Sequence, residues 1–249
     1  MKNLKKLFPL FIMAVIMSAT MTSCLSSSDD DDSVLTPEQE SQYRQLISGT
    51  YYGNTYYYNT AVEKNKSYFY NDSIEDMTLR VRAADSTMVL ESVPVKLFFK
   101  MLKTTKNYTE SELNNLSDSE KEKLTRNEAI QKAAEEKGVI DMKLAYMLSP
   151  TPSNGALTYY VSPYTIEFTL DYQGTKHEMA IVFMSYTPAQ WYSNKNAVVF
   201  FETAIYDGKV RNTKTGKDEY QLLDGQTLYN DNMTTDEQSE LMFEFYGQH

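Results

Sequence analysis

Hydrophobic residues change their spacing at a few well-marked places along this chain, and each change predicts a different element. The first is an apolar run from Leu7 to Val15 and on to Met21, preceded by Lys2, Lys5 and Lys6 and closed by Met21-Thr22-Ser23-Cys24. Basic start, apolar stretch and small-residue exit, in that order, predict a secretory signal over residues 1–23. The run is diluted by Ser18, Thr20, Thr22 and Ser23, so it falls short of the ~20 apolar residues of a spanning helix. Next, Thr36-Pro37-Glu38-Gln39 predicts a short helix, with a threonine cap and proline at its first position. Tyr43, Leu46 and Ile47 share its apolar face and Gly49 stops it.

From Thr50 the period drops to two. Residues 50–58, 67–70, 77–82 and 88–91 predict short strands, with Ala84-Asp85-Ser86-Thr87 as a turn. Pro94 introduces a further extended run over residues 95–102. Residues 109–138 break the pattern: Ser117-Asp118-Ser119-Glu120 is a capping box, followed by strong helix formers up to Gly138. With few apolar positions, this helical insertion reads as a surface connector or a lid. Strands resume over residues 139–148, and Pro150-Thr151-Pro152-Ser153-Asn154-Gly155 is a loop. Residues 164–172 and 176–186 alternate cleanly around Gln173-Gly174, the clearest hairpin in the chain. Another strand covers 196–206 and ends at an Asp207-Gly208 turn, while 234–243 has the composition of a capped last helix. The expected fold is all-β, a barrel or a two-sheet sandwich, forming a single domain over residues 36–249 with the insertion at 109–138 and short terminal helices.

Composition sharpens the cellular address. Cys24 is the only cysteine, and its place at the cleavage site marks a bacterial lipoprotein, acylated on that thiol. The lipid attaches the chain to a membrane and leaves no thiol for a disulfide. Residues 24–35 form an acidic tether. Within it Ser28, Asp29, Asp30, Asp31 and Asp32 resemble the export signal that follows the lipidated cysteine in Bacteroidota lipoproteins sent to the outer surface. That resemblance implies an outer-membrane, outward-facing location. Without residues 1–23 the chain carries 34 acidic residues and 21 basic ones (24 less three lysines), a net charge of −13. Such a body opposes nucleic acid and anionic headgroups alike. Ile47-Ser48-Gly49-Thr50-Tyr51-Tyr52-Gly53 resembles the opening strand of lipocalin-like (calycin-like) lipoprotein domains of that phylum. The likeness implies a ligand-holding barrel.

Catalytic vocabulary is sparse. His177 and His249 are the only histidines. Glu178 points away from His177 on a strand, so a histidine–carboxylate pair between these neighbours is not expected. No Gly-x-Ser-x-Gly elbow, phosphate loop or zinc-ligand pattern appears, and no cofactor is implied. Residues 187–194 read as a polar loop carrying Trp191 beside Tyr192, a pair suited to stacking on a ligand, with Trp191 plugging the core as the alternative. The expected function is a non-enzymatic binding module for a lipid or other apolar small molecule. The alternatives are a glycan- or protein-binding surface accessory using the loop aromatics, or a structural envelope subunit.

Overall fold

The computed structural model describes residues 35–249, apart from 64–65, 101, 150–155, 215 and 228–238. Helix α1 (Pro37–Ile47) starts as its sequence demands, with Thr36 and Gln39 forming a reciprocal capping box. Ile47 is buried, whereas Leu46 is exposed and does not share its face.

The sheet then begins. Strands β1 (Gly49–Glu63), β2 (Lys66–Arg82), β3 (Thr87–Pro94), β4 (Val139–Leu148) and β5 (Leu157–Pro163) pair antiparallel in sequence order. After an inserted hairpin come β8 (Thr187–Tyr192) and β9 (Lys195–Arg211), and β11 (Ser239–Gln248) pairs with both β9 and β1. The ring is thereby an eight-stranded, closed, up-and-down barrel. Closure removes the free edges an open sheet would leave. Inward positions follow the period of two. One row runs Thr55, Phe245, Val198, Ala189 and Tyr159, and the next runs Tyr57, Phe243 and Phe200. All are buried, as expected of an eight-stranded barrel just wide enough for side chains to fill. At the row above, a side chain on Gly53 would collide with the backbone of Tyr246 and Gly247, so β1 and β11 close only with glycine there.

Four strand segments leave the barrel as a flap. Hairpin strands β6 (Ile166–Tyr172) and β7 (Thr175–Phe183) turn on Gln173 and Gly174, both with positive φ, the geometry that matches strand twist. Strand β7 pairs with residues 202–207 of β9, and β10 (Asp218–Thr227) pairs with the other side of that segment. Asp207-Gly208 is therefore not a turn. Gly208, with φ +80°, sits inside β9 at a register shift, because β7 and β10 hold the strand extended across it.

Residues 95–102 are not extended either. Val95–Phe99 is a tight helical turn whose Val95, Leu97, Phe98 and Phe99 are all buried. A strand would send Phe98 and Phe99 to opposite faces; the tight helix turns both into apolar surroundings. Phe98 meets Phe183 of the flap and Phe243 of the barrel, with centroids 5.8 and 5.7 Å away, while Phe99 meets Phe168 edge-on. This turn plugs the lower end of the barrel.

The insertion comprises α2 (Glu110–Asn115) and α3 (Asp118–Lys137), the latter capped by Ser117 and Glu120 as predicted. Helix α3 backs the plug and β6. Gln131 Nε2 donates to the Phe99 and Leu102 carbonyls, and Asn127 Nδ2 donates to that of Lys103. The expected C-terminal helix is a strand from Ser239 onward; residues 234–238 lie outside the described residues. Leu241, Phe243 and Phe245 face the lumen at a spacing of two, and barrel closure overrides local helix composition.

Phe98→Ala should cost about 3–5 kcal/mol in denaturant unfolding, because it empties the contact between barrel and flap. An unchanged unfolding midpoint would show that the plug is not integral to the core.

Candidate functional site

Polar side chains gather at the upper end of the barrel. Residues 187–192 are strand, not loop, since β8 pairs with β5 and β9 on its two sides. Consecutive residues then face opposite ways. Trp191 turns inward and is buried, while Tyr192 turns outward and is 57% exposed. The two cannot stack on one ligand, and it is the core position of Trp191 that the structure brings out. Ser193 and Asn194, both with positive φ, make the tight turn into β9.

Opposite Trp191 in register stands Asn196, fully buried. Its Oδ1 accepts from the Tyr159 hydroxyl. Tyr146 packs edge-on against Tyr159 at 6.1 Å and donates its own hydroxyl to the Arg82 carbonyl. Tyr51 donates to the Ile47 carbonyl at 2.7 Å, with the His249 ring edge-on at 5.6 Å. Burial raises the pKa of all three phenols: Tyr51 upward, Tyr146 to about 12 and Tyr159 well above 10. For Tyr51 the rise is opposed by Trp191 and Asn196, which face its oxygen. They do so without reaching full hydrogen-bond geometry, and that leaves a distinctive residue: Trp191 Nε1, Asn196 Nδ2 and Thr55 Oγ1 are buried with no partner. Each such group costs about 1–3 kcal/mol unless water or a ligand satisfies it. They come from β8, β9 and β1 and face the lumen near its mouth.

A second cluster lies on the flap. Asp207 of β9 accepts from the Tyr172 hydroxyl at 2.5 Å and faces His177 Nδ1 at 3.0 Å, while the Tyr172 and His177 rings stack at 3.6 Å. In sequence Glu178 is set aside as a partner of His177, and nothing local points to Asp207, which a strand 30 residues away delivers. The carboxylate favours the Nδ1–H tautomer and orients the ring. Among the described residues, no three His, Cys, Asp or Glu side chains are grouped as metal ligands. Cys24, Ser28, Asp29, Asp30, Asp31 and Asp32 lie outside the described residues.

Two carboxyls are buried without compensation. Glu202 faces the lumen and neither of its oxygens has a partner; Glu244 lies on the outer wall of β11, 3% exposed, with Oε1 unpartnered. Burial raises Glu244 from 4.5 to about 7 and Glu202 well above 4.5. The folded state thus prefers the neutral acids, so their contribution to stability is fully present below pH 4.5 and is lost as pH rises. For Glu244 the loss ends near pH 7 and amounts to roughly 3 kcal/mol. Chemical denaturation should therefore show the protein more stable at pH 5 than at pH 8, and Glu244→Gln should remove the part of that slope ending near pH 7. Equal slopes in the two proteins would refute the assignment.

Residues 46–210, about two thirds of the chain, match the family described as Domain of unknown function (DUF4840). The matched segment begins at the end of α1 and runs through β9, so it holds both Trp191 and Asn196. No curated protein and no solved structure matches the chain. With that coverage, the chain belongs to the DUF4840 family.

Proposed function

We propose that this protein is a lipoprotein anchored on the outer face of the outer membrane, and that its barrel is a non-enzymatic binding module for a lipid or other apolar small molecule. The observation that carries the binding role is the trio of unpartnered buried polar atoms, Thr55 Oγ1, Trp191 Nε1 and Asn196 Nδ2, at the mouth of a largely apolar lumen. Apolar surroundings with a few convergent polar groups are how small-molecule sites hold and orient a ligand. Aromatic side chains fill the middle of the barrel, so the ligand's polar end belongs at the mouth. The anchoring role rests on Cys24 and the acidic residues after it.

The outer wall of the mouth favours one other reading. Tyr52, Gln248, Lys195 and Tyr192 stand in one register row across four strands, and both tyrosines are exposed. They lie about 14 Å apart across three strand spacings. Two aromatic faces with polar groups between them suit a glycan.

Native mass spectrometry of protein extracted gently from its own membrane should show a bound apolar species that Thr55→Val and Trp191→Phe weaken. The sole tryptophan, Trp191, should report the exchange by fluorescence. If nothing is bound and Thr55→Val only stabilises the fold, by about 1 kcal/mol, the interior site is refuted. The double substitution Tyr52→Ala with Tyr192→Ala should leave this binding intact; loss of glycan-array binding at an unchanged thermal midpoint would favour the outer row instead. For the anchor, Cys24→Ser should abolish lipid labelling and release the protein into the soluble fraction. Replacing Asp29–Asp32 with alanines should protect it from protease added to whole cells, and unchanged cleavage would reject the export signal.

A further inference from the structure

Strand β9 changes partners at one residue. Residues 195–202 pair with β11 and the first of them also with β8, whereas from residue 202 the strand pairs with β7 and then β10. Glu202 alone is in register with both systems, opposite Leu241 of β11 and Phe183 of β7. Beside it, the pairing shifts from Val182–Ala204 to Phe183–Glu202, which makes Thr203 the extra residue of a β-bulge. The Thr203 hydroxyl holds the bulge by donating to the Val182 carbonyl at 3.0 Å. Here the flap meets the barrel, and here the chain places a fully buried carboxyl with no hydrogen-bond partner on either oxygen.

The described surroundings are mainly aromatic. Strand β11 presents Leu241 and Phe243, while Glu244 lies on its opposite face; β9 itself contributes Phe200; β7 presents Phe183, with His177 and Glu178 toward the far end of the strand. The plug presents Phe98; of its cations, Lys96 pairs with Glu135, and Lys100 stands over the Tyr57 ring, 5.6 Å from its centroid. Tyr57 of β1 lies in register with Phe243. Among the described residues no cation pairs with Glu202. A charge there has only water to turn to, and water reaches it only if the junction parts.

We propose that Glu202 is a proton-operated latch between the barrel and its flap. Neutral, it stays inside and the plug, β7 and β11 close over it; ionised, it draws in water and releases the β7–β9 junction, opening the lower end of the barrel. Burial favouring its neutral form is in accord with this. The latch is independent of what the mouth of the barrel binds.

The test is amide hydrogen exchange against pH in the Glu244→Gln protein, which silences the other buried carboxyl. Junction amides, such as Met184 N–H bonded to the Phe201 carbonyl, report opening. Beyond the intrinsic exchange rate, their exchange should rise about tenfold per pH unit above the ordinary glutamate range, since only the open form ionises freely. Amides at the β8–β9 turn should not follow. Adding Glu202→Gln should abolish the slope. A slope that survives the substitution, or one shared by every strand, overturns the proposal. Should the double variant not fold, infrared spectroscopy of the Glu244→Gln protein decides: a protonated carboxyl band persisting at pH 7 supports the latch, and its absence rejects it.

Discussion

Backbone pairing along β9 is the constraint on which the rest of the molecule depends. Its amides and carbonyls must be satisfied on both sides over the length of the strand, because buried unpaired backbone groups are costly. The barrel supplies β8 and β11 for the first half; the flap supplies β7 and β10 for the second. The Thr203 bulge reconciles the two halves. It shifts the side-chain alternation by one, so that Glu202 faces the barrel lumen and Ile205 the core under the flap. Without that extra residue, one of the two layers would turn its apolar side to water.

The plug and insertion follow from the same geometry. Once the flap leaves the barrel wall, the lower lumen is open and lined by Phe183, Phe200 and Phe243. Val95–Phe99 fills that opening with Phe98, and α3 holds the plug through Gln131 and Asn127. The insertion, which in sequence reads as a surface connector or a lid, is therefore a brace. Its thin apolar face, Leu124, Ile130, Ala133 and Ala134, is enough because it covers one short turn and β6 only.

Polarity inside the barrel is uneven, and that unevenness is where function is to be sought. Most interior hydroxyls find a carbonyl or an amide oxygen, as Tyr51, Tyr146 and Tyr159 do. Thr55 Oγ1, Trp191 Nε1, Asn196 Nδ2 and both carboxyl oxygens of Glu202 have no partner. Folded proteins seldom retain such groups without a use for them, since apolar residues of similar shape would be more stable. The three donors come from β1, β8 and the start of β9, and the carboxyl lies midway along β9 where the flap departs, so the two ends of the lumen differ in chemistry.

Much of this was legible beforehand where local signals were self-sufficient. The Ser117–Glu120 box, the Gln173-Gly174 hairpin and the period-two strands are set by neighbours in sequence, and the chain folds there as read. Misreadings fall where a distant strand overrules the local pattern. Asp207-Gly208 has turn composition but is stretched by β7 and β10; residues 239–243 follow a helical composition but close the ring; residues 95–99 alternate weakly but must plug an opening that exists only in three dimensions.

The site divides in the same way. Trp191 stood out in sequence as the lone tryptophan, yet its inward aim depends on β8 being paired on both sides. Asp207 beside His177, and Glu202 at a change of partners, carried no sequence signal at all, because their meaning comes from register between strands far apart in the chain. By itself the sequence determined the helix caps, the hairpin, the all-β class and the expectation of a lipid anchor, since each is written in adjacent residues. Tertiary structure alone decided that the sheet closes, which polar groups the closure strands, and where the barrel meets its flap, because burial and pairing are properties of the whole ring.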